Sequence, residues 1–549
     1  MFRPRLPLLT LALLLAATTL PAQQPVSEAT RAARAVSGQV MQAHLEFLAN
    51  DLLEGRKPGT RGGELAALYL KAQFERLGLE PAGDSGTYFH RVPIISLTPA
   101  PTLTVGGAGA SQALGYMKDY MLWSMHDEPD VRAQGDLVYV GYGIVAPEYN
   151  WNDYAGLDVK GKIVVTLVND PGLQDSTIFR GSTLTYYGRW TYKIEEAERQ
   201  GAAGILMIHT DESATYPWST VSSSWSGPQI RVARQSGPLM VAGWLTHEAA
   251  ARLMGGSSRL DSLTAAAAHQ GFHGASLGIA ADAHVKSAIE NTETFNVVAR
   301  LPGHGPHKAQ AVLIGGHYDH FGISTPVNGD SIYNGAEDNA SGTAAVLAVA
   351  EAMVRSGVRP DRSVVFVGFA AEEAGLLGST AFAARPTIPI KDIAAVLNMD
   401  VMNVHGASRD VGALGLDQSS LGATFRRAAQ AEGLSVAVNP EALRTGAFFR
   451  SDHFPFARAG VPSLSIEGPT RFVGKPAAYA KSVAEDYTAH RYHQPSDEVL
   501  PSFDYAGAVQ QMRVITRAAL SVANSAAMPS WSATSEFKEA GEARLKSTN

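Results

Sequence analysis

The chain has 549 residues, 45% of them hydrophobic and 18% charged, with 53 glycines and 29 prolines. That length suits several domains and a sizeable core, and the composition excludes a wholly disordered, coiled-coil or collagen-like chain. The formal net charge is -7, from 45 Lys and Arg against 52 Asp and Glu, and the absence of a long basic run argues against nucleic acid as a partner. There is no cysteine beside 16 histidines. Disulfides, a thiol nucleophile, thiolate-bound zinc and iron–sulfur chemistry are thereby excluded, and any metal must be held by imidazole and oxygen.

Arg3 and Arg5 precede an apolar stretch from Leu6 to Leu20, with small residues around Ala22. This is the grammar of a secretory signal peptide over residues 1–22. The stretch falls short of the ~20 apolar residues a spanning helix needs, and no later stretch reaches that length. Without a cysteine for lipid attachment, the expectation is a soluble, secreted or periplasmic protein with no membrane contact after cleavage. The segment His44 to Gly78 reads as helical, with Leu65, Leu68, Tyr69 and Ala72 on one face and Gly78 as the stop. The glycine-rich run at residues 55–63 is a loop before its second helix.

From about 131 to 280 short β-rich runs appear at Leu137–Val140, Ile163–Val168 and Ile205–Ile208, and Trp190 to Gln200 reads as a helix feeding the last of them. This texture predicts a separate small domain. Over residues 281–525, apolar strands at Val297–Leu301, Ala311–Ile314, Val364–Phe369, Ile393–Leu397 and Ser463–Ile466 alternate with helices such as Ser341–Ser356. The pattern predicts an α/β fold with a mostly parallel mixed sheet flanked by helices. Residues 526–549 are polar and Ser-rich, and read as a frayed tail.

In open α/β sheets function lies beyond the carboxyl ends of the strands. Those positions carry His317 and Asp319, then Glu372 and Glu373, then Asp400; Asp338 precedes the helix at Ser341, and a later loop carries Tyr492 and His493. His317, Asp338, Glu373, Asp400 and His493 supply two imidazoles and three carboxylates, a set that suits a pair of zinc ions and is compatible with cobalt or manganese. Asp338, in a Gly/Asn-containing loop, is the natural bridge. Two divalent ions, three carboxylates and a hydroxide then sum to neutrality, so the cluster can sit in a partly desolvated cleft. The adjacent Glu372 points differently from Glu373 and is placed to act as general base on the attacking water. Asp319 is a candidate acceptor for the second ring N–H of a ligating histidine, and the Tyr492 hydroxyl a candidate oxyanion donor. His320 and His453 are read as structural. Gly274-Ala-Ser-Leu-Gly278 matches G-x-S-x-G but lacks the preceding strand that a nucleophile elbow at Ser276 requires. His247-Glu248 lacks the second histidine of a zincin helix, because Ala251 stands there.

Gly316-His-Tyr-Asp319, Gly335-Ala-Glu-Asp-Asn-Ala-Ser-Gly342, Ala371-Glu-Glu-Ala-Gly-Leu-Leu-Gly-Ser379, Asn398-Met-Asp400 and Tyr492-His-Gln-Pro-Ser-Asp497 together resemble the motifs of the M28 family of zinc metallopeptidases, in the subgroup with a protease-associated (PA) domain. The resemblance implies that His317, Asp338 and Asp400 bind one zinc and Asp338, Glu373 and His493 the other, with Glu372 as base. It makes residues 35–130 the first part of the peptidase domain, 131–280 a PA-like insertion and 281–525 the main part. The Val401-Met-Asn403 sequence departs from many relatives and bears on pocket shape. The expected activity is that of a dizinc aminopeptidase on peptides. A glutamate-releasing carboxypeptidase or a glutaminyl cyclase on the same fold, and a non-catalytic peptide-binding protein, are the alternatives. Pocket walls are expected from Phe448-Phe-Arg450 and the PA-like domain.

Overall fold

The structure, a computed structural model, describes residues 26–107, 110–233 and 237–546; the signal peptide expected at 1–22 lies outside the described residues. In chain order the elements that position the site are helices α1 (Gly38–Leu48) and α2 (Arg61–Arg76), strands β1 (Phe89–Gly107), β2 (Tyr120–Ser124), β3 (Asp130–Tyr139) and β4 (Ile163–Leu167), helix α3 (Trp190–Arg199), and strands β5 (Gly204–His209), β6 (Val241–Thr246), β7 (Ala275–Leu301) and β8 (Ala311–His317). Helix α4 (Ser341–Arg355), strands β9 (Ser363–Phe369), β10 (Ile393–Asn398), β11 (Asp410–Leu414) and β12 (Ser463–Glu467), and helices α5 (Ala506–Ala523) and α6 (Lys538–Lys546) follow. Among the described residues no helix is long and apolar enough to cross a membrane.

The expected mixed, mostly parallel α/β sheet is present. Its order runs β11-β12-β10-β8-β9-β7-β3-β4-β5-β6-β2. Strands β12, β10, β8 and β9 are mutually parallel, as are β3, β4, β5 and β6. Successive side chains of β8 and β9 point to opposite faces. Val312, Ile314, Val364 and Phe366 pack with Leu45, Phe74, Val349 and Ile515 on one side, and Leu313, Val365 and Val367 pack with Phe382 and Phe456 on the other. Both faces being covered, these strands read as continuous apolar runs. The same holds for β4 and β5, which send Val165 and Leu206 to one core and Val164 and Ile205 to another.

Two expectations change. The β-rich unit does not begin at 131, because Leu103, Val105, Leu114, Tyr120 and Leu122 share a core with Ile163 and Leu206. Strands β1 and β7 pair antiparallel from Phe89↔Val297 to Gly106↔Ala280, and β7 also pairs with β3 at one end and β9 at the other. This ribbon runs through both units, so a boundary drawn on composition cuts across it. The 27-residue β7 was expected only as its last five residues, since its exposed first half alternates with polar and small residues.

Nor are residues 526–546 frayed. Phe537 is buried against Trp531, Phe448 and Phe454, Arg544 donates to the Gly460 and Ile393 carbonyls at 2.7 and 3.0 Å, and Glu536 accepts from the Tyr186 amide at 2.8 Å. A few anchors among polar residues hold it down, which a periodicity test does not detect. Removing the largest of them, Phe537→Ala, is expected to lower stability by ~3–5 kcal/mol, visible as a reduced thermal midpoint; an unchanged midpoint would show that the segment is not part of the folded core.

Candidate metal centre

The parallel strands bring their carboxyl ends to one level: His317 is paired with Phe369 and Gly315 with Asn398. His317 is therefore the last residue of β8, Glu372 and Glu373 lie just past the end of β9, and Asp400 lies two residues past β10. Close packing of backbone makes this level possible. A Cβ at Gly342 would lie 2.2 Å from the Met399 carbonyl oxygen, and one at Gly316 2.5 Å from the same atom.

All five expected ligands converge. His317 Nε2 lies 3.3 Å from Asp338 Oδ1 and 3.4 Å from Asp400 Oδ1. His493 Nε2 lies 3.4 Å from Asp338 Oδ2 and 3.3 Å from Glu373 Oε2. These separations exceed the ~2.7–2.9 Å of a charge-assisted hydrogen bond. They match the ~3.3–3.4 Å that separates two donors held at ~2.0–2.1 Å in a tetrahedron around one ion. Asp338 turns one oxygen to each histidine, the placement of a bridging carboxylate. Asp400 Oδ2 accepts from the Ser451 hydroxyl at 2.5 Å, while its buried Oδ1 has no hydrogen-bond partner and faces His317. An orphaned buried carboxylate oxygen beside an imidazole nitrogen fits a metal ligand.

The charge balance points the same way. Burial acts to raise Asp338, but the His317 and His493 imidazoles that face its two oxygens outweigh it and hold its carboxyl well below the usual range. Burial drives Glu372 and Glu373 well above theirs, and neighbouring carboxylates add to the shift. His317 is raised despite its burial because Glu372 and Asp400 face it. Four carboxylates and two imidazoles in one desolvated cleft call for further positive charge, which divalent cations supply.

A surrounding set of bonds fixes the ligands. The Asp497 carboxylate accepts the amides of Glu337 and Asp338, both at 3.0 Å. Asn339 donates to the Met399 carbonyl at 3.0 Å and accepts the Gly342 amide at 2.8 Å. Buried Arg56 donates to the carbonyls of Tyr318, Leu48, Asn334 and Gly335 at 2.5–3.0 Å, tying the glycine-rich loop before α2 to the Asp338 loop.

Two expected roles are corrected. The Asp319 carboxylate is 3.8 Å from His317 Nδ1, too far for a hydrogen bond, and instead accepts the amides of Glu372 and Glu373 at 3.1 and 3.4 Å; it positions the turn that carries them. His320, read as structural, is buried with Nδ1 at 2.6 Å from Glu373 Oε1, so it orients a ligand. Tyr492 stacks on His493 with ring centroids 3.7 Å apart, and desolvation together with the Asp338 and Glu373 carboxylates holds its hydroxyl well above its ordinary pKa, so it stays a donor. Glu372 Oε2 lies 4.0 Å from His317 Nε2. His453 is buried against Phe448, apart from the ligands. Ser276 is exposed near the start of β7, with no strand-to-helix elbow. Asp497, Ser451 and Arg56 were not assigned roles from sequence, although Asp497 stands inside a quoted motif and Arg56 inside the glycine-rich run at residues 55–63.

The centre opens into a cleft of about 400 Å³, lined also by Arg189, Trp190 and Thr191 of the β-rich unit and by Phe449, Arg450 and Phe454. An α/β sheet with this donor set at its strand ends offers oxygen and nitrogen groups that could hold metal ions. Residues 296–517 match the model of peptidase family M28. A leupeptin-inactivating enzyme of Streptomyces exfoliatus is 31% identical over 169 residues, covering 31% of this chain and 34% of that protein. Leucine aminopeptidase 1 of Trichophyton rubrum is 26% identical over 191 residues, covering 34% of this chain and 50% of that protein. The chain thus spans between a third and a half of the length of these curated relatives. The aminopeptidase structure from Aneurinibacillus sp. strain AM-1 aligns over 90% of this chain and 96% of its own, with 20% identity and a TM-score of 0.46.

Replacing Asp497 by Ala leaves the Glu337 and Asp338 amides without their acceptor. Loss of such a supporting bond lowers metal affinity ~10–100-fold. Calorimetric titration of Zn²⁺ into the metal-stripped variant is expected to show that loss; wild-type affinity would mean that the Asp338 loop holds its shape unaided.

Proposed function

We propose that this protein is an exported M28 dizinc aminopeptidase with a PA-like domain, acting on peptides with a free N-terminus. The observation that carries the reading is the bridging placement of Asp338 between His317 and His493, with Asp400 and Glu373 completing two ligand triads. The apolar stretch Leu6 to Leu20 supports export. His317, Asp338 and Asp400 would hold one ion, and Asp338, Glu373 and His493 the other. When bound, the ions polarise a carbonyl and acidify a water.

The chain's own groups supply the rest. Glu372 is held at the turn by its amide bond to Asp319, and burial lifts its carboxyl well above 4.5. Its carboxyl, facing His317 across 4.0 Å, is placed to take a proton from the attacking water and pass it to the leaving amine. Tyr492, kept protonated, can donate to the oxygen that becomes negative in the tetrahedral intermediate. The β-rich unit closes the far side of the cleft and limits access of bulk water.

Chelation is expected to abolish cleavage, and zinc to restore it. Glu372→Ala should keep its zinc but lose about 10²–10⁴-fold in kcat, whereas Glu373→Ala should lose zinc on metal analysis. Blocking the peptide N-terminus should abolish cleavage. Retained cleavage of N-blocked peptides with release of C-terminal Glu would instead indicate a carboxypeptidase, and peptide binding with zero turnover a non-catalytic protein.

A further inference from the structure

The lining of the cleft carries positive charge at Arg189 that no carboxylate among the described residues is seen to pair. Arg189 and Arg450 both line the cleft. Their guanidinium groups lie near each other, and the other groups that act on Arg189 are the hydroxyls of Tyr216 and Tyr186 rather than any carboxylate. Burial first, then Arg450, draws Arg189 down to about 10, so it remains a cation at neutral pH. Arg450 Nη2 donates to two neutral acceptors, Thr215 Oγ1 at 3.0 Å and the Thr445 carbonyl at 2.9 Å. The third arginine of the wall, Arg458, is by contrast paired with Glu195.

Other features of the wall have the same sign. Arg189 is the N-cap of α3 and makes no side-chain cap, so the first-turn amides and the positive end of that helix lie at the cleft. Arg189 Nε and Thr191 Oγ1 are both buried without a hydrogen-bond partner. Two like charges held together beside unpaired donors are stabilised by an anion between them, and the planar guanidinium fork matches a carboxylate.

We propose that Arg189 and Arg450, with Thr191 and the N-terminus of α3, form a subsite for a peptide carboxylate next to the scissile bond. This rests on the peptidase reading for the origin of the ligand. It adds a preference that the metal ligands do not create. The carboxylate can belong to an acidic side chain of the substrate or to the α-carboxylate of a very short peptide. Both present the same group to the arginines.

Two peptide pairs separate these sources on the zinc-loaded enzyme: Glu-Ala-Ala amide against Gln-Ala-Ala amide, and Leu-Ala against Leu-Ala amide. The charged member of one pair is expected to have a kcat/KM ~10-fold or more above its neutral partner, and which pair shows it identifies the source. In Arg189→Gln, and separately in Arg450→Gln at an exposed side chain, that ratio is expected to fall toward one. Because the ratio is taken within each variant, a general loss of activity does not imitate the effect. Ratios near one for both pairs in the wild type, or an unchanged ratio in both variants, would overturn the subsite. Calorimetric titration of the same four peptides into Glu372→Gln reads the discrimination as a ratio of Kd values without turnover. Absence of cleavage of all four by the wild type would therefore remove the peptidase reading, while the Kd ratio still decides the subsite.

Discussion

The constraint on which the rest of the structure depends is the enclosure of Asp338, Glu372, Glu373 and Asp400 in one cleft beside the imidazoles of His317, His320 and His493. Carboxylates brought out of water and next to one another raise each other's proton affinity, as Glu372 and Glu373 show. Cations among them would relieve this repulsion, and the donor atoms are spaced for ions rather than for short direct hydrogen bonds. Binding free energy of such ions is then also folding free energy for the loops that carry the ligands.

The scaffold meets this by fixing backbone rather than side chains alone. Asp319 and Asp497 are buried carboxylates that coordinate nothing in the ligand set, and each accepts two successive amides at a ligand-bearing turn. One holds the Glu372–Glu373 turn and the other the Glu337–Asp338 turn. Arg56 does the complementary task with four carbonyls. Its burial draws it down to about 10, opposed by the nearby Asp319 and Asp497 carboxylates. The N-terminal helices therefore do more than cover the sheet: through one arginine they define where the Asp338 loop can lie.

How much of this was legible in the sequence depended on the range of the interaction. His317, Glu372, Glu373 and Asp400 were found because each follows an apolar strand buried on both faces, a local pattern with a known geometric consequence. Asp338 and His493 followed from residue type and loop chemistry, and the motifs that resemble M28 peptidases added the grouping into triads. The roles of Asp319 and His320 were misread because spacing shows that two groups are near a ligand but not which atom faces which. The span of β7 and the order after residue 525 were missed for a different reason. A ribbon strand with a half-exposed face, and a segment held by Trp531, Phe537 and Arg544, have no continuous periodicity, and their stability comes from partners more than fifty residues away.

That late segment matters to the cleft. Glu536 caps the Tyr186 amide, and Tyr186 packs against Phe449, Phe454 and Phe537, three residues before Arg189. The lining that carries Arg189 and Arg450 is thus fastened to the parallel-sheet part of the molecule by Glu536 and Phe537. On the reading proposed above, a substrate in the cleft would meet these arginines as well as the ligand cluster. Such a field would orient a peptide, because a reversed peptide would place its ammonium group against Arg189 and Arg450. With the wall held rigid, this discrimination costs little reorganisation at the moment of binding. The β-rich unit, on this reading, acts as half of the binding site rather than as a separate module beside it.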